Sequence, residues 1–251
     1  AVIEAISSGL IIITGGPGTG KTTTINTIIK YFESEGESIS LAAPTGRAAK
    51  RMSEATSYEA KTIHRLLEIT PNSSEISKNI GTHFERNEDN PLEADIIIID
   101  EVSMVDIFLM NALLKAVAVG TRLILVGDIN QLPSVGPGTV LKDLIESDCF
   151  NVVRLNKIYR QSDRSDIVIN AHKIMTNEEI DLSKKSNDFI FIKQSNPDNV
   201  TGSVISLVRD KLPDYVNATS NELQIMTPMR KGPLGVEVLN SFLQRSINPA
   251  S

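Results

Sequence analysis

Leu10-Ile11-Ile12-Ile13-Thr14-Gly15-Gly16-Pro17-Gly18-Thr19-Gly20-Lys21-Thr22-Thr23 carries the strongest fold signal in the chain. Its first five residues form a short β-branched run with almost no polar break, the pattern of a strand buried on both faces. A glycine-rich turn follows, and Lys21–Ser34 then carries helical periodicity. Gly15 to Thr22 match G-x-x-x-x-G-K-[ST] in full, in the strand–loop–helix context that gives the pattern meaning. Glycines let consecutive backbone N–H groups converge on phosphate oxygens at the positive end of a helix dipole. Lys21 adds a charge for the β- and γ-phosphates, and the Thr22 hydroxyl can ligate Mg²⁺. Gly15, Gly16, Pro17, Gly18, Thr19, Gly20, Lys21, Thr22 and Thr23 are therefore the expected phosphate-binding residues. A glycine turn that binds nothing would not need this strand before it and this helix after it.

Outward from this loop the same alternation repeats. Ile39–Ala43, Ile96–Asp100 and Leu123–Gly127 are short apolar runs that suit strands of a parallel sheet. Thr45–Ala55 and Asp106–Val117 read as helices between them. The order strand, helix, strand, helix predicts an α/β doubly wound sheet flanked by helices. Pro71–Pro91 is polar with weak periodicity and reads as a surface excursion. After Phe150 the pattern restarts with a strand at Val152–Leu155, a helix at Arg164–Met175 and a strand at Phe189–Ile192. A helix near Asn199–Leu212, a strand at Leu223–Thr227 and a helix at Val236–Ile247 complete it. A domain boundary is expected near 150, giving a first domain 1–150 and a second part 151–251.

Composition narrows the class. The chain has 251 residues, 41% hydrophobic and 22% charged, which is ordinary for a soluble globular protein. Its one cysteine, Cys149, excludes an internal disulfide framework, suits a reducing cytosol and reads as a packing residue. No apolar run is long enough to span a membrane, and the start is no signal peptide. The chain lacks an initial Met and opens onto its first strand, so it reads as a piece of a longer protein. Net charge is −6, which argues against a general polyanion-coating protein but leaves room for a local basic groove. Arg47, Lys50 and Arg51, with Lys61 and Arg65 shortly after, supply such a concentration, whereas acid gathers in Glu85–Asp95 and Asp143–Asp148.

Ile96-Ile97-Ile98-Ile99-Asp100-Glu101 ends a buried strand with two adjacent carboxylates. A parallel strand delivers its last residues to the sheet's carboxyl edge, where ligands of α/β folds bind. Asp100 would meet the magnesium beside Thr22, and Glu101 would orient or deprotonate the attacking water. After the next strand comes Asp128-Ile129-Asn130-Gln131. Gln131 is either a contact to a γ-phosphate or its water, or a loop amide satisfied by backbone.

Taken together, Gly15–Thr24, Asp100–Asp106 and Gly127–Gly138 resemble superfamily 1 helicases, and closely the RecD family, the exonuclease V alpha subunit and its stand-alone relatives. Ala43–Arg51, Thr62–Leu67 and Leu155–Gln161 are similar to the same family, as are Met226–Gly235, Leu239-Asn240 and Ile247–Pro249. The resemblance implies a P-loop NTPase (RecA-like) domain followed by part of a second RecA-like domain. It implies an ATP- and Mg²⁺-dependent DNA helicase motor moving 5′ to 3′ on single-stranded DNA in recombination and repair. Lys21, Glu101, Gln131 and Arg160 would serve hydrolysis. Gln131 would couple the γ-phosphate to the DNA face, and Arg160 would be an arginine finger rather than a surface ion pair. Single-stranded DNA and duplex junctions are the implied partners, with subunits of a nuclease complex beside them.

Pro44, Thr45, Gly46, Arg47 and Lys50 follow a strand and open a helix, where backbone N–H groups and basic side chains can track a DNA phosphate chain. A solvated basic helix face is the plainer reading that the resemblance displaces. His64, one of three histidines, has no partner at metal-ligand spacing; it is either a DNA contact or a satisfied structural histidine. Arg230 could grip DNA from the second part. The family's upstream glutamine segment and its final second-domain motifs have no counterpart here, so a truncated motor is expected. Two alternatives stay open: a nucleotide-gated DNA-binding piece with weak hydrolysis, and a DNA-dependent ATPase that remodels without unwinding.

Overall fold

The computed structural model describes residues 1–69, 84–157, 165–184 and 186–248. They fall into two compact units, Ala1–Glu179 and Ile180–Ser251. In the first, the strands are β1 (Leu10–Gly15), β2 (Ile39–Ala43), β3 (Ala60–Thr62), β4 (Ile96–Ile99), β5 (Arg122–Gly127) and β6 (Asn151–Leu155). They form one parallel sheet in the order β3-β2-β4-β5-β1-β6. The helices are α1 (Val2–Ser7), α2 (Lys21–Ser34), α3 (Gly46–Thr56), α4 (Ile63–Leu66), α5 (Ile107–Ala116), α6 (Val140–Glu146) and α7 (Asp166–Met175).

Alternation of side chains along each strand divides the core in two. Ile12, Ile97, Ile99, Leu123 and Leu125 pack on one face with Met110 and Leu113 of α5 and Leu141 of α6. Ile11, Ile13, Ile96, Ile98, Ile124 and Val126 pack on the other with Ile25, Ile28, Ile29 and Phe32 of α2 and Met52 of α3. Strands covered on both faces need no polar alternation, so the central runs read as unbroken Ile, Leu and Val. The α/β sheet flanked by helices is as the sequence predicts.

Three expectations about the first unit change. The chain opens with α1 before its first strand: Val2, Ala5 and Ile6 share one helical face, and Ala5 is fully buried in the α2-side core. The strand expected to start the second domain is the edge of the first sheet, with Val152 paired to Ile12 and Val153 to Ile13, and the compact units divide between Glu179 and Ile180. Cys149 is exposed, because it lies in the solvent-facing turn Ser147–Phe150 between α6 and β6 and not in a packed element. Ala60–Thr62, α4 and α6 are too short for periodicity to reveal them.

The second unit is built from α8 (Pro197–Ser206), α9 (Leu212–Val216) and α10 (Val236–Ile247). The single helix expected near Asn199–Leu212 is interrupted by a π-turn at Leu207–Lys211. Pro213 explains it, since a proline lacks the N–H for the carbonyl one turn back and its ring crowds that carbonyl. Neither Phe189–Ile192 nor Leu223–Thr227 is a strand. A strand needs a ladder partner, and neither segment has one among the described residues; Ile190, Phe191 and Ile192 are about half exposed. The excursion 71–91 lies in part outside the described residues. No described helix is long and apolar enough to cross a membrane.

Candidate functional site

The phosphate loop joins β1 to α2, as its sequence requires. Gly18 and Gly20 hold φ of 78° and 87°, a left-handed conformation that L side chains rarely adopt. Gly15 is needed for space: a Cβ there would lie 2.6 Å from Thr19 Oγ1 and 2.8 Å from the Leu155 carbonyl oxygen of β6. Thr19 is buried and its hydroxyl donates to the Gly16 carbonyl at 2.8 Å, bracing the loop. Lys21 Nζ donates to the carbonyls of Gly15 and Gly16, which holds the ammonium at the loop's mouth. Thr22 and Thr23, at the start of α2, are exposed. Gly15→Ala should destabilise the chain by about 1–3 kcal/mol, because β6 backbone must give way. Urea denaturation checks this; an unchanged midpoint would mean the loop relaxes freely.

One strand, β5, separates β1 from β4. The Asp100 N–H donates to Ala42 of β2 at 2.9 Å, so Asp100 still follows the sheet direction. Its carboxylate accepts the Glu101 N–H at 2.9 Å. Burial pushes the Asp100 carboxyl up from its ordinary range, against the pull of that hydrogen bond and of the Lys21 charge. Glu101 turns the chain with φ 55°, a left-handed conformation uncommon outside glycine. Burial first, and the neighbouring Asp100 charge second, raise the Glu101 carboxyl, while Lys21 opposes them. Glu101 Oε2 is sealed from solvent with no hydrogen-bond partner in the protein. A carboxylate held basic and short of partners can take a proton or orient a water.

The loop after β5 enters between these two groups. Asp128 is 2% exposed and accepts the Asn130 N–H at 3.0 Å, and its charge adds to the rise at Glu101. Sequence reasoning assigned no role to Asp128, although its place after a buried strand copies that of Asp100. Gln131 is exposed, and its backbone N–H donates to the Asp128 carbonyl at 3.1 Å. Arg160 lies outside the described residues.

Pro44 and Thr45 leave β2 at the same edge. Thr45 caps α3, its Oγ1 accepting the Ala48 N–H at 3.2 Å, which leaves the hydroxyl proton free to donate. Gly46, Arg47 and Lys50 are exposed, and Lys50 faces Glu54 at 3.8 Å, a pair too solvated to hold the ammonium firmly. His64 on α4 lies against Phe84, ring centroids 5.9 Å apart, beside a 580 Å³ cavity that Phe108 also lines. The cations there are paired, Arg86 with Glu68 and Glu93, and Lys115 with Glu88. Arg230, in the second unit, is exposed and faces Glu237 at 3.3 Å.

The donor set suits Mg²⁺. Thr22 and Asp100 offer oxygen only, and among the described residues no group of three or more His, Cys, Asp or Glu forms a cage. Mg²⁺ is held through one or two protein oxygens, with water and phosphate oxygens completing its shell. A cation beside Asp100 would also offset the burial that raises this carboxyl.

The AAA domain family matches residues 1–137. The chain is 38% identical over 240 residues to an ATP-dependent RecD2 DNA helicase of Deinococcus radiodurans, covering 96% of this chain and 31% of that protein. It is 41% identical over 165 residues to the RecBCD enzyme subunit RecD of Mycolicibacterium smegmatis, covering 57% of this chain and 28% of that one. A Pif1 helicase structure from Candida albicans shares the fold with a TM-score of 0.50 at 23% identity, covering 69% of this chain and 42% of that chain. The chain thus spans less than a third of the curated relatives' length.

Proposed function

Because the chain belongs to the AAA domain family, as a RecD-like member of the superfamily 1 helicases, we propose that it is the ATP-hydrolysing motor region of a DNA helicase. The observation that carries this reading is the pair Asp100–Glu101 at the sheet's carboxyl edge, one strand from the phosphate loop, with a Glu101 oxygen sealed and unpartnered. A pure nucleotide binder has no use for a second, raised carboxylate beside the first.

In this reading Gly15–Thr23 cradle the triphosphate through backbone N–H groups, and Lys21 neutralises the β- and γ-phosphates. Thr22 and Asp100 hold Mg²⁺, which supplies charge neutralisation when bound. Glu101 orients the attacking water and accepts its proton, and its raised basicity serves that task. Gln131 senses the γ-phosphate, and Arg160 supplies charge in the transition state. In the first unit Pro44, Thr45, Gly46, Arg47, Lys50 and His64 contact DNA, and in the second unit Arg230 does so on its own. The motor moves 5′ to 3′ on single-stranded DNA, engages duplex junctions and acts in recombination and repair in the cytoplasm, alone or with nuclease subunits.

DNA binding tests the reading apart from hydrolysis. Three phosphate contacts would lower single-strand affinity roughly tenfold to twentyfold between about 50 and 200 mM salt. Fluorescence anisotropy with a labelled oligonucleotide measures it. A salt-insensitive complex would contradict a backbone-tracking groove.

A further inference from the structure

Four buried side-chain polar atoms among the described residues have no hydrogen-bond partner in the protein, and two of them, Glu101 Oε2 and Ser103 Oγ, lie on one turn. Several of the chain's other hydroxyls return to backbone carbonyls: Thr24 to Gly20 at 3.0 Å, Ser53 to Ala49 at 3.1 Å, Thr56 to Met52 at 2.7 Å. Ser103 does not. A sealed hydroxyl without a partner costs stability, and in a folded protein such a cost calls for an explanation.

The turn itself is firmly held. It is a 3-10 turn, Val102–Met104, in which Met104 N–H donates to Glu101 at 3.1 Å and Val105 N–H to Val102 at 3.0 Å. Val102 is fully buried, and α6 packs against the turn. The last residue of β5 presses on it: a Cβ at Gly127 would lie 3.3 Å from the amide nitrogens of Val102 and Ser103 and 2.8 Å from Leu141 Cδ2. Side chains on so fixed a backbone keep their relative places. One orphan is a donor and the other, when ionised, accepts only. Each has what the other lacks.

We propose that Ser103 is a positioning residue for hydrolysis: unpartnered in the nucleotide-free chain, its hydroxyl donates to the Glu101 carboxylate, directly or across one water, once nucleotide is bound, and fixes which oxygen Glu101 turns to the attacking water. This rests on the reading that Glu101 serves hydrolysis. The hydroxyl acts through Glu101 and touches neither nucleotide nor metal.

The test compares Ser103→Ala and Ser103→Thr in the full chain, with Glu101→Gln and the double variant Ser103→Ala/Glu101→Gln beside them. Ser103→Ala should lower kcat for ATP by about tenfold, the worth of one hydrogen bond at a reacting centre, and leave KM within about twofold. Its melting temperature should hold or rise, since an unsatisfied group is removed. Ser103→Thr keeps the hydroxyl and should recover kcat to within about threefold. In single-turnover measurements the double variant should be no slower than Glu101→Gln alone, because the serine acts through that carboxylate. An unchanged kcat in Ser103→Ala, or a kcat loss matched by a fallen melting temperature, overturns the proposal. Additive losses in the double variant overturn it as well. If Glu101→Gln itself hydrolyses ATP normally, the hydrolytic reading of Glu101 falls and this proposal with it. If Glu101→Gln is impaired and Ser103→Ala is not, this proposal alone falls.

Discussion

Glu101→Gln should leave Mg-ATP binding within about threefold of the parent chain and slow turnover by about 10²–10⁴-fold, the usual worth of a general base. Gln keeps the length and shape of Glu, so the left-handed turn at φ 55° and the 3-10 turn after it should persist. What changes is basicity. The parent carboxyl is raised by burial and by Asp100, and an amide cannot take a proton at all. Asp100, the expected metal ligand, stays in place through its backbone bond to Ala42. Removal of one of two adjacent, partly buried negative charges should also relieve repulsion, so the fold should not weaken. Isothermal titration with Mg-ATP beside a phosphate-release assay separates the two quantities. Equal losses of binding and turnover would make Glu101 a structural residue of the turn.

Lys21→Ala should abolish measurable turnover, with kcat down by at least about 10²–10³-fold, the loss seen when one preorganised donor to developing charge is removed. The ammonium sits at the mouth of the loop on the Gly15 and Gly16 carbonyls, where its three donors can exchange a carbonyl for a phosphate oxygen. Alanine removes the charge and the tie together. Nucleotide affinity should therefore fall as well, which distinguishes this variant from Glu101→Gln. Lys21→Arg should not rescue, because a planar fork does not fit where a compact point charge turns inside a tight loop. Unchanged turnover in Lys21→Ala would remove the phosphate-loop assignment.

Legibility along the chain follows a physical divide. The loop Gly15–Thr22 and the pair Asp100–Glu101 could be read because strand, turn and helix around them are local, and because parallel strands deliver their ends to one edge. The sheet's interior was legible for a related reason: Ile96–Ile99 is apolar at every position, which only a strand covered on both faces tolerates. Ser103 was not legible. Its surroundings are made by a residue distant in sequence, Gly127 at the end of β5 with Leu141 of α6 beside it, and short segments such as α6 leave no periodic trace. The second unit shows the opposite failure. Phe189–Ile192 has strand composition, yet a strand is a property of a pair, and composition does not supply the partner.

ATP turnover of this chain, measured with and without single-stranded DNA, separates a hydrolytic motor from a nucleotide binder. Turnover should rise with DNA and be lost in Lys21→Ala. Mg-ATP binding with no turnover, with or without DNA, would contradict a hydrolytic motor and leave a nucleotide-binding region.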